Sequence, residues 1–491
     1  MKIITSGPIK PYYVQALAML FFPGEKFSTE DQDDRRRAEV SVTVSEEGVL
    51  ARARISDGNI IEYGESFTKY DSLSHDKAVK ISVGSAFFDA CVKLTGHIPP
   101  WGTLTGIRPA KLAAEQFAAG MSAEETREYF EKYYRTTERK ARLAVECAVT
   151  AGGISMPGAE RECSVYVAIP FCPTRCAYCS FVSYTSPKLL SMIPDYLAVL
   201  AEDIARTERL IRRLGMKITT VYIGGGTPTV LDEGQLSFLL DRLAPMTDGV
   251  REFTLEAGRP DTINAEKMKI AAAHGVTRVS VNTQTLNDEI LSSIGRRHTA
   301  DDFFRAYACA AQSGIPSKNV DLIAGLPGER AESFSSSVDR VIGLRPESIT
   351  VHTFCVKRSA RLKTDGEDVF DREGREAAAA VDYSQRAVSA AGYKPYYMYR
   401  QKNTVGNLEN VGYSLPGHEG LYNILMMDEL HSIFACGASA VTKLVSRDRR
   451  RIERIFEPKY PYEYLGRHTV GAHNDEVVER ERFITEFFEN Q

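Results

Sequence analysis

Tyr166-Val-Ala-Ile-Pro-Phe-Cys-Pro-Thr-Arg-Cys-Ala-Tyr-Cys-Ser180 sets Cys172, Cys176 and Cys179 in a C-x3-C-x2-C pattern, directly after the apolar run Val165 to Ile169. Three cysteines so close in sequence bring their thiols into one small volume, which ordinary core cysteines have no reason to do. Cysteine thiolates hold iron–sulfur clusters, and three ligands on a cubane [4Fe–4S] cluster leave one iron corner open to another molecule. A structural zinc site wants four ligands in a closed tetrahedron. No fourth Cys or His follows at a usual spacing, position 181 being Phe. The pattern points to a cluster, with a zinc site or plain core cysteines as the alternatives.

Outward from this stretch the chain alternates between strand and helix. Apolar strand-like runs at 165–169, 219–223, 251–256, 277–282, 318–323 and 347–352 are separated by helix-period segments at 192–214, 232–243, 264–274, 288–313 and 330–343. Unbroken apolar strands alternating with helices predict a parallel sheet covered by helices. Such proteins place their sites at the carboxyl ends of the strands. The conspicuous motifs fall there: the cysteine loop, Gly224-Gly-Gly-Thr-Pro228, Glu256, Val281 to Asp288, and Asn319 to Gly328. A glycine-rich turn lets backbone approach a ligand closely, though alone it is a weak signal.

Before the alternating strands and helices, residues 1–160 carry no catalytic motif and read as an α+β domain. Strand alternation shows at 39–44 and 49–55, and a helix is expected over 75–95. Gly96 to Pro109 holds the only Trp, Trp101, and reads as a structural hinge rather than a functional loop. Short helices follow, capped by Ser122 and by Thr136 or Thr137. After residue 354 the alternation stops; helices at 374–391, 421–431 and 474–489 and the small-residue loop Ala435 to Ala440 suggest a smaller domain.

A chain of 491 residues with 43% hydrophobic and 26% charged residues has the composition of a globular protein of two or three domains. A net charge of −4 gives no reason to expect a nucleic-acid partner. No apolar run suits a signal peptide or a membrane span. Nine cysteines, three of them clustered, suit a reducing compartment better than a disulfide scaffold. A cytoplasmic monomer is expected.

C-x3-C-x2-C with an aromatic before its last Cys resembles the radical S-adenosylmethionine (SAM) superfamily. The longer string, from Tyr166 through Ile-Pro-Phe-Cys to Tyr178-Cys179, resembles the oxygen-independent coproporphyrinogen III oxidase family, in its long Gram-positive, HemZ-type branch. The resemblance covers roughly residues 160–440. It implies that the α/β region at 161–354 is a partial (β/α)6 radical SAM barrel, which follows the N-terminal α+β domain of unknown role at 1–160 and precedes a smaller domain at 355–491 expected to cover the barrel's open side and the substrate.

The cofactors implied are a [4Fe–4S] cluster on Cys172, Cys176 and Cys179, and SAM chelating the open iron. An electron from the cluster splits SAM into methionine and a 5′-deoxyadenosyl radical, and the protein positions and shields that radical. Carried over residue by residue, Gly225, Gly226 and Thr227 meet the SAM amino group and Arg296 its carboxylate. Glu256 and Asp321 hold ribose, Gln284 contacts SAM, and Ala324, Gly325 and Leu326 offer backbone to adenine. Asn282-Thr283 replaces the family's Gly-Val pair. Tyr166 faces the pocket as a catalytic residue or is a core tyrosine, and His352 is a core histidine or faces the site.

The reaction implied is oxidative decarboxylation of coproporphyrinogen III propionates to vinyls. A haem-binding chaperone and a tetrapyrrole methyltransferase are the alternatives. The partners implied are a tetrapyrrole substrate and a low-potential donor of flavodoxin or ferredoxin type. Arg400 and Lys402, in an aromatic-rich segment, are candidate carboxylate anchors.

Overall fold

Strand and helix boundaries follow local pattern closely, and what the structure adds is which strands pair. The computed structural model describes residues 1–28, 35–70, 73–106, 108–154, 161–179, 183–355, 374–401, 404–468 and 475–489. Two compact units emerge, and their boundaries differ from those expected at 160 and 354. One comprises Met1–Val149, Phe370–Ala378 and Met398–Glu409; the other comprises Thr150–Val369, Ala379–Tyr397 and Asn410–Gln491.

In the first unit β1 (Lys2–Ser6), β2 (Arg36–Val44), β3 (Gly48–Asp57) and β4 (Ile60–Lys69) form a sheet in that spatial order. β1 runs parallel to β2, and the rest are antiparallel. Their alternation buries Val40, Val49, Ala51, Ala53 and Ile55 in one core with residues of the helix His75–Thr95. Ser74 caps that helix and Gly96, at φ 68°, ends it. Gly64 on β4 lets strand and helix touch, since a Cβ there would lie 2.0 Å from the Ala86 carbonyl oxygen. Ser122 forms a capping box with Glu125, whereas Thr137 donates its hydroxyl to the Pro100 carbonyl.

The Trp101 stretch is part of this unit's interior. Trp101 Nε1 donates to one Glu409 carboxylate oxygen (2.7 Å) and Lys140 Nζ to the other (2.6 Å). The guanidinium of Arg400 lies 5.3 Å from the Trp101 ring centre and donates to the carbonyls of Leu104, Gly106 and Asn407.

The second unit is built on one long sheet. β5 (Glu162–Ile169), β6 (Lys217–Gly225), β7 (Glu252–Gly258), β8 (Arg278–Val281), β9 (Ser317–Ala324) and β10 (Ser348–Thr353) are six neighbouring parallel strands. They are separated in sequence by helices, as expected of a partial (β/α)6 barrel. The sheet is not closed. β12 (Glu409–Ser414) pairs antiparallel with β10, with β11 (Lys394–Arg400) beyond it. At the other edge β13 (Ser432–Cys436) adds parallel to β5, followed by antiparallel β14 (Val441–Val445) and β15 (Ile452–Phe456). The chain after residue 393 therefore lengthens the barrel's own sheet at both edges, where a separate covering domain was expected.

The parallel strands are not uniformly apolar. The register aligns Tyr166, Tyr222, Thr254, Arg278 and Ser317 in one row, and Val165, Val221 and Phe253 in the next. Successive side chains point to opposite faces, so one face is polar and the other apolar. The helix-period segment 288–313 is two helices, Asp288–Ser293 and Ala300–Gln312. Gly295, at φ 78°, follows the first, and Thr299 caps the second. Among the described residues no helix is long and apolar enough to cross a membrane.

Candidate functional site

At the carboxyl ends of β5 and β6 two loops are stitched together by backbone. Gly226 N–H donates to the Ile169 carbonyl (2.8 Å) and Thr227 N–H to that of Phe171 (2.7 Å). A Cβ on Gly226 would lie 2.5 Å from the Phe171 oxygen, and Gly225 has φ 114°, so both positions need glycine. Cys172 N–H donates to Tyr184 O (3.1 Å), Cys179 N–H to Cys176 O (3.1 Å) and Ala177 N–H to Ile294 O (2.9 Å). The cysteine loop is thus held between the glycine loop and the break after residue 293.

Polar groups reach the sulfurs of Cys172 and Cys176. Thr227 Oγ1 lies 3.3 Å from Cys172 Sγ. Arg259 Nη1 donates to Cys176 Sγ (3.5 Å) and to Thr174 Oγ1 (2.9 Å). Among the described residues no group of three or more His, Cys, Asp or Glu side chains is gathered closely enough to hold a single metal ion. A cubane attaches each thiolate to a different iron, so its ligands need only line one bay. Three thiols on one loop held against the glycine loop, with hydrogen-bonding groups at Cys172 and Cys176, are a donor set that fits such a cluster.

The polar face of the sheet continues this bay. Tyr166, Tyr222, Glu256, Asp321 and His352 keep part of their surface exposed while most of their strand neighbours are buried. The rings of Tyr166, Tyr222 and Tyr422 are nearly parallel, with centres 4.6 Å apart for Tyr222–Tyr422 and 6.0 and 6.4 Å apart for the pairs with Tyr166. Glu256 lies against the glycine loop, where a Cβ on Gly224 would sit 2.7 Å from its carboxylate. Burial, with the charge of Asp321 second, pushes the Glu256 carboxyl up to about 7, against hydrogen bonds from Tyr222 and the Gly225 backbone. Burial acts to raise Asp321 too, but His352, Asn319 and Thr350 outweigh it and hold that carboxyl below its ordinary range.

Tyr422 reaches the bay from outside the β/α repeat. It is the second residue of the helix Leu421–Met427, whose first N–H groups, those of Leu421 and Tyr422, donate to the Glu252 carboxylate at 2.9 and 3.1 Å. Arg278 Nε donates to the same carboxylate (3.2 Å). The alternation of polar residues in the strands could have revealed Tyr222 and His352 as site-facing. Nothing local marks Tyr422, Glu252 or Arg259.

Four buried acceptors or hydroxyls along the polar face have no hydrogen-bond partner: Gln284 Oε1, Asn282 Oδ1, Ser280 Oγ and Thr254 Oγ1. Gln284 holds φ 77°, unusual for a side chain of its size, and its N–H is tied to Asp321 O (3.0 Å). Orphaned acceptors beside a glycine cradle and two carboxylates fit a polar, hydroxyl-bearing ligand such as SAM.

Arg296 comes close to the cysteine loop. Its guanidinium donates to Tyr178 OH (3.1 Å) and to the Asn282 carbonyl. The Ala324 carbonyl accepts from Phe354 N–H (2.9 Å), and Gly325 turns at φ 77°.

Arg400 is buried. It belongs to the first unit, and its guanidinium is committed to three carbonyls and the Trp101 ring there. Lys402 lies outside the described residues. The loop Ala435 to Ala440 owes its small residues to protein packing, since a Cβ on Gly437 would meet Tyr196 OH at 2.6 Å and Ala168 O at 2.7 Å.

A family model described as the radical SAM superfamily matches residues 166–341. The oxygen-independent coproporphyrinogen-III oxidase-like protein HemZ of Bacillus subtilis (strain 168) is 35% identical over 459 residues, covering 92% of this chain and 90% of HemZ. The heme chaperone HemW of the same strain is 30% identical over 332 residues, 65% of this chain and 82% of HemW. The solved structure of coproporphyrinogen III oxidase (HemN) from Escherichia coli shares the fold, with a TM-score of 0.50 and 20% identity over 69% of this chain and 78% of HemN. Membership implies a [4Fe–4S] cluster and SAM as cofactors, and an external electron donor. The chain belongs to the radical SAM superfamily and, within it, to the oxygen-independent coproporphyrinogen III oxidase family, alongside HemZ.

Proposed function

We propose that this protein uses a [4Fe–4S] cluster and SAM for the oxygen-independent oxidative decarboxylation of coproporphyrinogen III propionates to vinyl groups. The observation that carries this reading is the Tyr166–Tyr222–Tyr422 stack beside Glu256 and the glycine loop, in which Tyr166 and Tyr222 are partly exposed and Tyr422 is buried behind them. Stacked phenol rings next to a nucleoside-type site suit a flat tetrapyrrole. Near-full-length similarity to an oxidase-like relative points the same way.

When bound, cluster and SAM together supply a carbon radical able to take a hydrogen from the propionate side chain. The chain's own residues do the rest. Cys172, Cys176 and Cys179 hold iron. Gly225, Gly226 and Thr227 offer backbone groups to the SAM amino group, and Arg296 offers charge to its carboxylate. Glu256 and Asp321 accept from ribose hydroxyls, with Gln284 and the backbone at Ala324 and Gly325 completing the pocket. Tyr166 faces the substrate, and the tyrosine stack keeps water from the reacting carbon.

The test is anaerobic incubation with SAM, dithionite and coproporphyrinogen III, read by mass spectrometry. Loss of carbon dioxide and two hydrogens at each converted propionate supports the reading. Similarity to HemW favours a second reading, a haem-binding chaperone. Tight haem binding with SAM cleavage that leaves the porphyrinogen mass unchanged would select it. A gain of methyl mass would overturn both.

A further inference from the structure

We propose that Arg259 is a positioning residue that raises the reduction potential of the cluster held by Cys176, with Asp261 moderating its charge. The inference rests on the cluster reading above. Arg259 follows β7 at a turn where Gly258 has φ 70°. Its side chain is buried, 4% exposed. One edge of the guanidinium is clamped by Asp261, with Nε to Oδ1 and Nη2 to Oδ2 both 2.9 Å. The remaining nitrogen, Nη1, is thereby aimed at the cysteine loop, where it donates to Thr174 Oγ1 and to Cys176 Sγ.

Hydrogen bonds to cluster sulfurs are among the levers that set an iron–sulfur potential. Here the donor is a fixed cation in a site of low polarisability. One-electron reduction, with the electron supplied from outside by a low-potential donor, adds negative charge to the cluster. A guanidinium donating to one of its thiolates stabilises the reduced form more than the oxidised form, because Coulomb attraction grows with the added charge. Asp261 acts in the opposite sense through the same guanidinium, and part of its surface faces solvent. The two residues therefore form a cation and a counter-charge of unequal reach, and removing either should move the potential in opposite directions.

The experiment uses the full chain, reconstituted anaerobically with iron and sulfide, without SAM. Potentials are read by EPR during titration with dithionite, beside iron and sulfide analysis. Arg259→Gln should shift the reduction equilibrium about tenfold toward the oxidised form, about 59 mV lower for a one-electron couple. Arg259→Lys should fall between it and the parent, and Asp261→Asn should lie above the parent. A role confined to holding the loop would change iron content and leave the potential of the loaded fraction unmoved. If Arg259→Gln loads no cluster, Arg259→Lys and Asp261→Asn still decide by the sign of their shifts. Potentials equal to the parent's in fully loaded variants overturn the proposal. A parent protein that takes up no iron or sulfide overturns the cluster reading, and the proposal with it.

Discussion

Glu256 and Asp321 share the polar face of one sheet, yet their surroundings shift the two carboxyls in opposite directions, Glu256 up and Asp321 down. Asp321 accepts from Asn319 Nδ2 at 2.6 Å and has His352 Nε2 at 3.7 Å, so it stays a charged acceptor. Glu256 is pushed up to about 7, first by burial and then by the charge of Asp321. Two carboxyls facing one bay thus need not both carry charge when the bay is empty. Such a pair is suited to a neutral diol, which donates to both.

That arrangement gives stability a pH dependence. The folded-state value of Glu256 lies above its unfolded one, so the folded protein binds more protons between the ordinary carboxylate range and about 7. Stability therefore falls as pH rises through that window, and the full cost is present above it. Glu256→Gln removes the cost. Relative to the parent, the variant should gain about 2 kcal/mol between pH 5 and pH 8, discounted for the solvent that reaches the half-buried carboxyl. Denaturant unfolding at several pH values checks this, and a difference independent of pH would show an ordinary carboxylate.

Gly226→Ala should separate the glycine loop from the cysteine loop. The added Cβ would meet the Phe171 backbone at 2.5 to 2.9 Å, and backbone cannot step aside as a flexible side chain can. Overpacking of this kind costs about 1–3 kcal/mol. Iron content after reconstitution should drop more steeply than helix content by circular dichroism. Full iron loading would mean that the two loops move together.

Glu252 accepts from Leu421 N–H, Tyr422 N–H and Arg278 Nε, all buried. Glu252→Ala strands the Arg278 charge and uncaps the helix that carries Tyr422, at an expected cost of about 3–5 kcal/mol. Arg278→Met combined with Glu252→Ala should recover part of that loss, because the stranded charge is gone. Strict additivity in the double-mutant cycle would refute the coupling.

Arg400→Ala should act as a stability mutation. It removes a buried guanidinium from three carbonyls and the Trp101 ring, leaving acceptors without donors, at about 2–4 kcal/mol. Melting temperature should fall while iron content per folded molecule stays at the parent's value. Unchanged melting with selective loss of porphyrinogen turnover would return Arg400 to the substrate site.

Much of this protein is legible in the chain itself, because the signals are local. Cys172, Cys176 and Cys179 lie within eight positions of one another. The β/α alternation repeats at short range, and the motifs fall where parallel strands end. The two faces of the strands were legible as well. Tyr166, Tyr222, Thr254, Asn319, Asp321 and His352 recur at alternate positions among apolar neighbours, and that period of two is what the reading of unbroken apolar strands overlooked.

What only the tertiary structure decided is pairing between distant segments. A basic, aromatic segment looks the same in sequence whether its arginine meets a ligand's carboxylates or, like Arg400, carbonyls and a tryptophan nearly 300 residues away. Tyr422 joins the stack because Glu252, 170 residues earlier, caps its helix. The strands after residue 393 complete the sheet because its edge strands, β5 and β10, have backbone groups left to satisfy. Hydrogen-bonding demand is local to each residue, but the partner that meets it is chosen only when the chain has folded.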